Sequence, residues 1–99
     1  MTKVRPKIAR NAHELARALD LAEADRQTME IQMEIAEEIM REVDRQGLTH
    51  AALARLAGTS RTRITAILNG NLEQVSTDLL LRILASLGIR AKIAFSRAA

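Results

Sequence analysis

Two short helical patterns lie at the centre of the chain, separated by a turn of three residues that begins with Gly58. The first covers residues 49–57 and the second residues 61–68, so each allows only about two turns of helix. Two short helices joined by a turn of three or four residues cross at a steep angle. Such a close crossing needs a small residue where the two backbones meet, and Ala54 supplies it.

Residues that start and stop helices frame the two patterns. Thr49 and Ser60 are predicted N-caps, since a hydroxyl oxygen accepts hydrogen bonds from the free N–H groups of a first turn. Gly58 permits the left-handed conformation that ends the first helix, and Asn69-Gly70 is a stop signal after the second. The residues expected to face inward are Leu53, Ala54, Leu56 and Ala57 in the first helix and Ile64, Ile67 and Leu68 in the second.

Helical patterns also flank this centre. Residues 26–46, ended by Gly47, predict a long helix, and residues 77–87, capped by Ser76 or Thr77 and closed by Gly88, predict a last one. The inward residues are expected to be Ile31, Ile35, Ala36, Ile39 and Val43 in the long helix and Leu79, Leu80, Ile83, Leu84 and Leu87 in the last. Nearer the N-terminus, Asn11 is a possible N-cap of a short helix to about Leu21, and residues 1–10 predict a flexible basic arm.

The C-terminal residues follow a different period. Apolar and polar side chains alternate over residues 89–96, which predicts a β-strand. Because the sequence offers no second strand, this strand would leave backbone groups unpaired unless it joined the same strand of a second copy. We therefore expect a homodimer whose interface contains Leu81, Ile89, Ala91, Ile93 and Phe95.

Composition excludes several classes of function. The 99-residue chain has no cysteine and one aromatic residue, Phe95, which excludes disulfide scaffolds, thiol catalysis and aromatic platforms for single-stranded nucleic acid. No apolar run reaches the length of a membrane span and no signal peptide follows the basic N-terminus, so a cytoplasmic protein is expected. His13 and His50 have no ligand-like neighbours, and no catalytic set is present. We expect neither an enzyme nor a metal site nor a cofactor.

Charge is distributed unevenly along the chain. Residues 29–47 are strongly acidic, whereas residues 48–70 contain Arg55, Arg61 and Arg63 and no acidic residue. An acid-free basic segment is suited to a polyanionic partner such as a nucleic acid. We interpret the acidic face of the preceding helix, within residues 29–47, as exposed to solvent. The alternative is that this face binds a partner protein.

Ala54, Gly58 and Ile64, spaced four and six residues apart, resemble the helix–turn–helix of the Cro/lambda-repressor-like (Xre) family. The stretch Gly47–Ser60 is similar to the usual opening of the family, and Asn69-Gly70 to its ending. The resemblance implies an all-α, lambda-repressor-like bundle of about five helices, here with a C-terminal β-strand that pairs across a homodimer. It also implies that residues 61–68 form a recognition helix for the major groove of duplex DNA.

The same resemblance implies roles for individual residues. With the isoleucines inward, the outward residues of the recognition helix match the base-reading positions of the family: Arg61, Thr62, Thr65 and Ala66. Phosphate contacts are expected from Thr49, His50, Ser60, Arg63 and Asn69. Two positions depart from the family pattern, because His50 stands where glutamine is usual and Thr59 where valine or isoleucine is usual. The first departure makes the usual phosphate contact, and its brace on the recognition helix, uncertain at the sequence level.

Residues 79–93 resemble the helix and strand of HigA-type and HipB-type antitoxins, and residues 19–25 resemble the short HigA-like regulators. This resemblance implies a transcriptional repressor of its own operon that also binds a cognate toxin. The alternatives are a stand-alone or phage-like repressor, and an interaction module that uses the acidic helix or the N-terminal segment while DNA binding is secondary. In domain terms we expect an arm with a short helix (1–28), a DNA-binding domain (29–88) and a dimerisation strand with its tail (89–99).

Overall fold

The structure is a computed structural model that describes residues 8–97. Those residues form four α-helices and no strand: α1 (Ile8–Gln46), α2 (His50–Ala57), α3 (Arg61–Leu68) and α4 (Thr77–Ser86). The chain divides into two compact units, one ending at Ile31 and the other beginning at Gln32. The second unit contains the end of α1 and the whole of α2, α3 and α4, and it carries all of the predicted helix–turn–helix.

The second unit is built around one apolar core. From α1 it receives Ile35, Ile39 and Val43, which recur every four residues and therefore share one face of the helix. Helix α2 packs against both α3 and α4. All four helices supply the side chains that are completely shielded from solvent: Ile39, Leu53, Ile64, Ile67, Leu80 and Ile83. No helix can leave this unit without exposing apolar surface to water.

The predicted caps are confirmed atom by atom. The hydroxyl of Thr49 accepts from the N–H of Ala52 at 3.0 Å, and the hydroxyl of Ser60 accepts from the N–H of Arg63 at 3.1 Å. Ser76, rather than the alternative Thr77, caps α4. Gly58 has a φ of 70°, so the turn between α2 and α3 uses the left-handed conformation that glycine adopts without steric cost.

The N-terminal prediction was wrong in its division of the helices. One continuous helix, α1, replaces the two predicted helices, and Asn11 lies inside it rather than at its start. The residues between the two patterns, 22–25, contain no glycine or proline and provide no reason to stop. Arg26 pairs with Glu23 and Glu30 across this region, which favours helix further. Of the predicted arm, residues 1–7 lie outside the described residues, and residues 8–10 belong to α1.

Two residues expected in the core are exposed. Ile31 is 46% exposed and Leu56 is 56% exposed. In an eight-residue helix the inward face is narrow, and Leu53, Ala54 and Ala57 fill it, so Leu56 projects to one side. Ile31 is the last residue of the first unit, and the buried stripe of α1 begins only at Ile35.

The C-terminal segment differs from the prediction as well. Within the described part of the chain, residues 89–97 form neither helix nor strand. Ile89 packs against the core, and its N–H donates to the carbonyl of Leu84 at 3.0 Å. Beyond it, Ile93 is 77% exposed and Phe95 is 92% exposed. A strand requires a hydrogen-bonded neighbour, and the single chain provides none for these residues.

Replacing Leu53 by alanine should destabilise the fold by about 2–5 kcal/mol, because the cavity would lie in a fully shielded part of the core. The matched control is Leu56→Ala on the same helix, which should change stability by no more than about 0.5 kcal/mol. Urea unfolding of both variants and the parent measures the difference. Equal losses for the two leucines would show that α2 packs on a different face.

Candidate nucleic-acid interface

The rotation of α3 about its axis decides which of its side chains can reach a ligand. Ile64 and Ile67 are buried in the core, three residues apart, and fix one face of the helix inward. Arg61, Thr62 and Arg63 are consequently exposed. Thr65 and Ala66, the other predicted base-reading residues, are half-buried on the flanks of the helix. Of the four predicted outward residues, Arg61 and Thr62 are therefore exposed, whereas Thr65 and Ala66 are only partly accessible.

The arginines on this surface differ from those on α1. Every ion pair found among the described residues lies on α1 and joins Arg26, Arg41 or Arg45 to a glutamate three or four residues away. Arg61 and Arg63 take part in none of them. Because residues 48–70 contain no acidic side chain, the guanidinium groups of α3 have no carboxylate on their own segment to bind. They remain available to an external anion.

The acidic residues of α1 are partly neutralised within their own helix. Hydrogen bonds from Arg45 and then Gln46 lower the pKa of Glu42, and the same contact with Glu42 raises the pKa of Arg45. The side-chain amide of Gln46 also donates to the carbonyl of Leu87 at 3.1 Å. This contact joins the end of α1 to the end of α4.

A side-chain hydrogen bond joins the start of α2 to α3. The Nδ1 atom of His50 lies 2.8 Å from the hydroxyl oxygen of Thr65, and the tautomer of the imidazole determines which of the two groups donates. His50 is half-buried, as is Thr65. The sequence left a brace at position 50 uncertain because histidine stands there in place of glutamine. The structure shows that the imidazole makes this brace.

Two of the hydroxyls predicted to bind phosphate also serve as N-caps. Thr49 and Ser60 accept hydrogen bonds from backbone N–H groups through their oxygen atoms. A hydroxyl that accepts in this way keeps its own hydrogen to donate to a further acceptor. Asn69 lies at the opposite end of α3, where its backbone N–H donates to the carbonyl of Thr65 at 3.1 Å and its side chain is exposed. Of the predicted phosphate contacts, Ser60 and Asn69 thus lie at the two ends of α3, and Thr49 lies at the start of α2.

A shallow, open groove of about 230 Å³ runs beside the exposed side of α3. Ser60, Thr62, Arg63 and Ala66 line it on the α3 side, and the segment Glu73–Val75 lines it on the other. No sequence pattern marks this segment as part of the site, because the eight-residue loop between α3 and α4 carries no signal of which helix it approaches.

Neither a metal-binding cluster nor a membrane-spanning helix occurs among the described residues. No three histidine, aspartate or glutamate side chains lie close enough together there to hold a metal ion. Among the helices of the same part of the chain, none combines the length and the apolar character that crossing a membrane requires.

Removing both partners of the His50–Thr65 bond should reveal a coupling energy of about 0.5–1.5 kcal/mol. The measurement is a double-mutant cycle with His50→Ala and Thr65→Val, followed by urea unfolding. A second cycle that pairs His50→Ala with Thr62→Val is the control, and its two effects should add within about 0.5 kcal/mol. The same coupling in both cycles would mean that the hydrogen bond contributes nothing specific.

Comparison with protein families identifies one match. The chain matches the family described as "Helix-turn-helix domain" over residues 18–96, which is most of its length. Comparison with curated proteins and with solved structures gives no match. The matched residues include α2, α3 and α4. Helices α2 and α3 are the two short helices, and the tight turn at Gly58 joins them. The chain therefore belongs to the helix-turn-helix domain family, and this membership indicates DNA binding.

Proposed function

We propose that the protein is a sequence-specific transcriptional regulator that binds duplex operator DNA with α3 in the major groove. The observation that carries the proposal is the surface of α3. Its polar side chains are held outward by the buried Ile64 and Ile67, on a segment that has arginines and no acidic residue. Such a surface combines the shape that enters a major groove with the charge that attracts phosphates.

The side chains on α3 suit distinct parts of a base pair. Arg61, in the first turn, has a guanidinium group able to donate two hydrogen bonds to O6 and N7 of guanine. Thr62 offers a hydroxyl to a base edge, and Thr65, whose hydroxyl is oriented by His50, offers its methyl or hydroxyl. Ala66 offers only an apolar contact, for which the methyl group of thymine is the natural partner.

Phosphate contacts would position α3 without reading sequence. We assign them to the hydroxyls of Thr49 and Ser60, to Arg63, to the side-chain amide of Asn69 and to His50. When Nδ1 of His50 accepts from the hydroxyl of Thr65, the hydrogen of the neutral imidazole lies on Nε2, which can then donate to a phosphate. Together these groups lie at the beginnings of α2 and α3 and at the end of α3.

A homodimer is the assembly that fits this function. Residues 90–97 make no backbone–backbone hydrogen bond within the described chain, although apolar and polar side chains alternate along them. An antiparallel ribbon with the same segment of a second copy would pair the backbone N–H and C=O groups of these residues and cover Ile93 and Phe95. The interface we propose contains Leu81, Ile89, Ala91, Ile93 and Phe95. Two recognition helices related by a two-fold axis would then read a palindromic operator.

An antitoxin role is the second candidate. It rests on the resemblance of residues 79–93 and 19–25 to antitoxins, which bind a second protein as partner. In an antitoxin that partner would be the cognate toxin. Co-purification with the product of an adjacent reading frame separates this role from that of a stand-alone or phage-like repressor.

Arg61→Ala should remove the preference for one base pair in each half-site, a loss of about 1–3 kcal/mol in discrimination. Arg63→Ala should weaken binding to all sequences alike and reduce the salt dependence by about one phosphate contact. Selection from randomised duplexes, followed by affinity measurements at several salt concentrations, separates the two effects. Arg41→Ala is the control, because this arginine is paired with Glu38 on α1. Wild-type behaviour of both α3 variants would contradict the proposal.

Ile93→Ser combined with Phe95→Ser should convert the dimer to a monomer, since both side chains are exposed in the single chain and bury themselves only against a partner. The truncation after Gly88 should do the same, and the point variants keep Ile89 in its place against the core. Analytical ultracentrifugation measures the mass in solution. A dimer that survives both changes would require a different interface.

A further inference from the structure

One residue in the loop before α4 has an unusual backbone conformation. Gln74 has a φ of 64° and is the only residue other than glycine with a positive φ among those described. It is the third residue of a turn that is closed by a hydrogen bond of 3.1 Å from the N–H of Val75 to the carbonyl of Leu72. Glycine or asparagine normally occupies that position, because a side chain makes a left-handed conformation unfavourable. Glutamine at this position therefore stores local strain.

The surrounding structure holds this turn from several sides. Val75 is half-buried and packs against the core. Its carbonyl oxygen accepts from the side-chain amide of Gln32 at 3.1 Å, and the same amide donates to the hydroxyl of Thr77 at 3.0 Å. These contacts fix the residue that follows Gln74 to both α1 and α4. The strained conformation is therefore imposed by the fold and does not depend on the side chain at position 74.

The turn lies next to the proposed DNA-reading surface. Exposed Gln74 lines the open groove beside α3, opposite Thr62, Arg63 and Ala66. Glutamine thus occupies a position where glycine would be less strained. This position lies at the edge of the surface from which the arginine and threonine side chains of α3 project. When a strained residue sits beside a binding surface, its side chain is the first candidate for a role there.

We propose that Gln74 is a further specificity-determining residue, whose side-chain amide contacts a base next to those read by α3. The proposal rests on the DNA-binding function proposed above. An amide both donates and accepts, and it matches the N6 and N7 atoms of adenine in the major groove. The carboxylate of Glu73, directly beside it in the groove, repels phosphate, so a base edge is the more favourable partner.

Gln74→Gly tests the proposal because its two expected effects have opposite signs. Glycine relieves the strain, so the melting temperature should stay equal or rise, whereas the affinity for the preferred duplex should fall about five- to tenfold or more. Selection from randomised duplexes should lose its preference for an adenine·thymine pair at one flanking position of each half-site. The salt dependence of binding should stay the same, because no phosphate contact is removed. Glu73→Gln is the matched control and should keep the preference at that position.

The other outcomes overturn the proposal in distinguishable ways. Unchanged base preferences in Gln74→Gly would show that the side chain reads nothing. Equal weakening on all sequences, with a shallower salt dependence, would show a phosphate contact. A melting temperature that falls together with affinity would show that the glutamine acts through the fold. Wild-type protein that selects no duplex would refute the DNA-binding function itself, before Gln74 is considered.

Discussion

Burial of Ile64 and Ile67 is the interaction on which the recognition surface depends. An eight-residue helix has no stable orientation of its own, so the orientation of α3 comes from these two side chains inside the core. Leu53 of α2 is buried in the same core, and α2 in turn packs against α4. The polar face of α3 is therefore a consequence of packing on its opposite side.

Hydrogen bonds add to the packing that orients α3 relative to α2. Thr49 and Ser60 cap two successive helices, and Gly58 turns the chain between them at a positive φ. The bond between His50 and Thr65 then links the first turn of α2 to the middle of α3. Each contact satisfies a polar group near the surface, and together they restrict the motion of α3 relative to α2. For the DNA-reading role proposed for α3, this restriction would lower the conformational entropy that is lost on binding.

The charges of the chain are divided between two environments. On α1, Arg41 and Arg45 pair with glutamates one turn earlier, so both of these arginines are already engaged with carboxylates. On α3, Arg61 and Arg63 have no such neighbours in their segment. The small formal net charge of the whole chain, +3, conceals this division. Local charge thus explains why a protein with an acidic helix still presents a surface suited to a polyanion.

Short-range chemistry made much of the fold predictable. The bounds of α2 and α3 followed from a hydroxyl before each helix and from Gly58, because caps act within a few residues. Weak helical patterns on either side of residues 22–25 predict two helices, but this stretch contains no helix breaker and α1 runs through it. The strand at residues 89–96 depends on a partner chain, and sequence periodicity does not report whether a partner is present.

The site was predictable to a similar degree. The isoleucine spacing predicted Arg61, Thr62, Thr65 and Ala66 as outward; the first two are exposed and the last two are half-buried. Their assignment to bases stays a prediction. The contact between His50 and Thr65 joins residues fifteen positions apart, and Gln74 reaches the groove through a turn whose conformation has no sequence signature. Both are tertiary features, set by how helices pack rather than by local propensity.

The most direct test of the central claim is a titration of isotope-labelled protein with duplex DNA that carries its selected site, followed by NMR amide shifts. The account predicts that the largest shifts fall on the first turn of α3 and on the start of α2, and that the amides of the buried core of α1 change little. Shifts concentrated on the acidic face of α1, with α3 unaffected, would contradict it, because the DNA would then be bound by a surface other than the one that Ile64 and Ile67 hold outward.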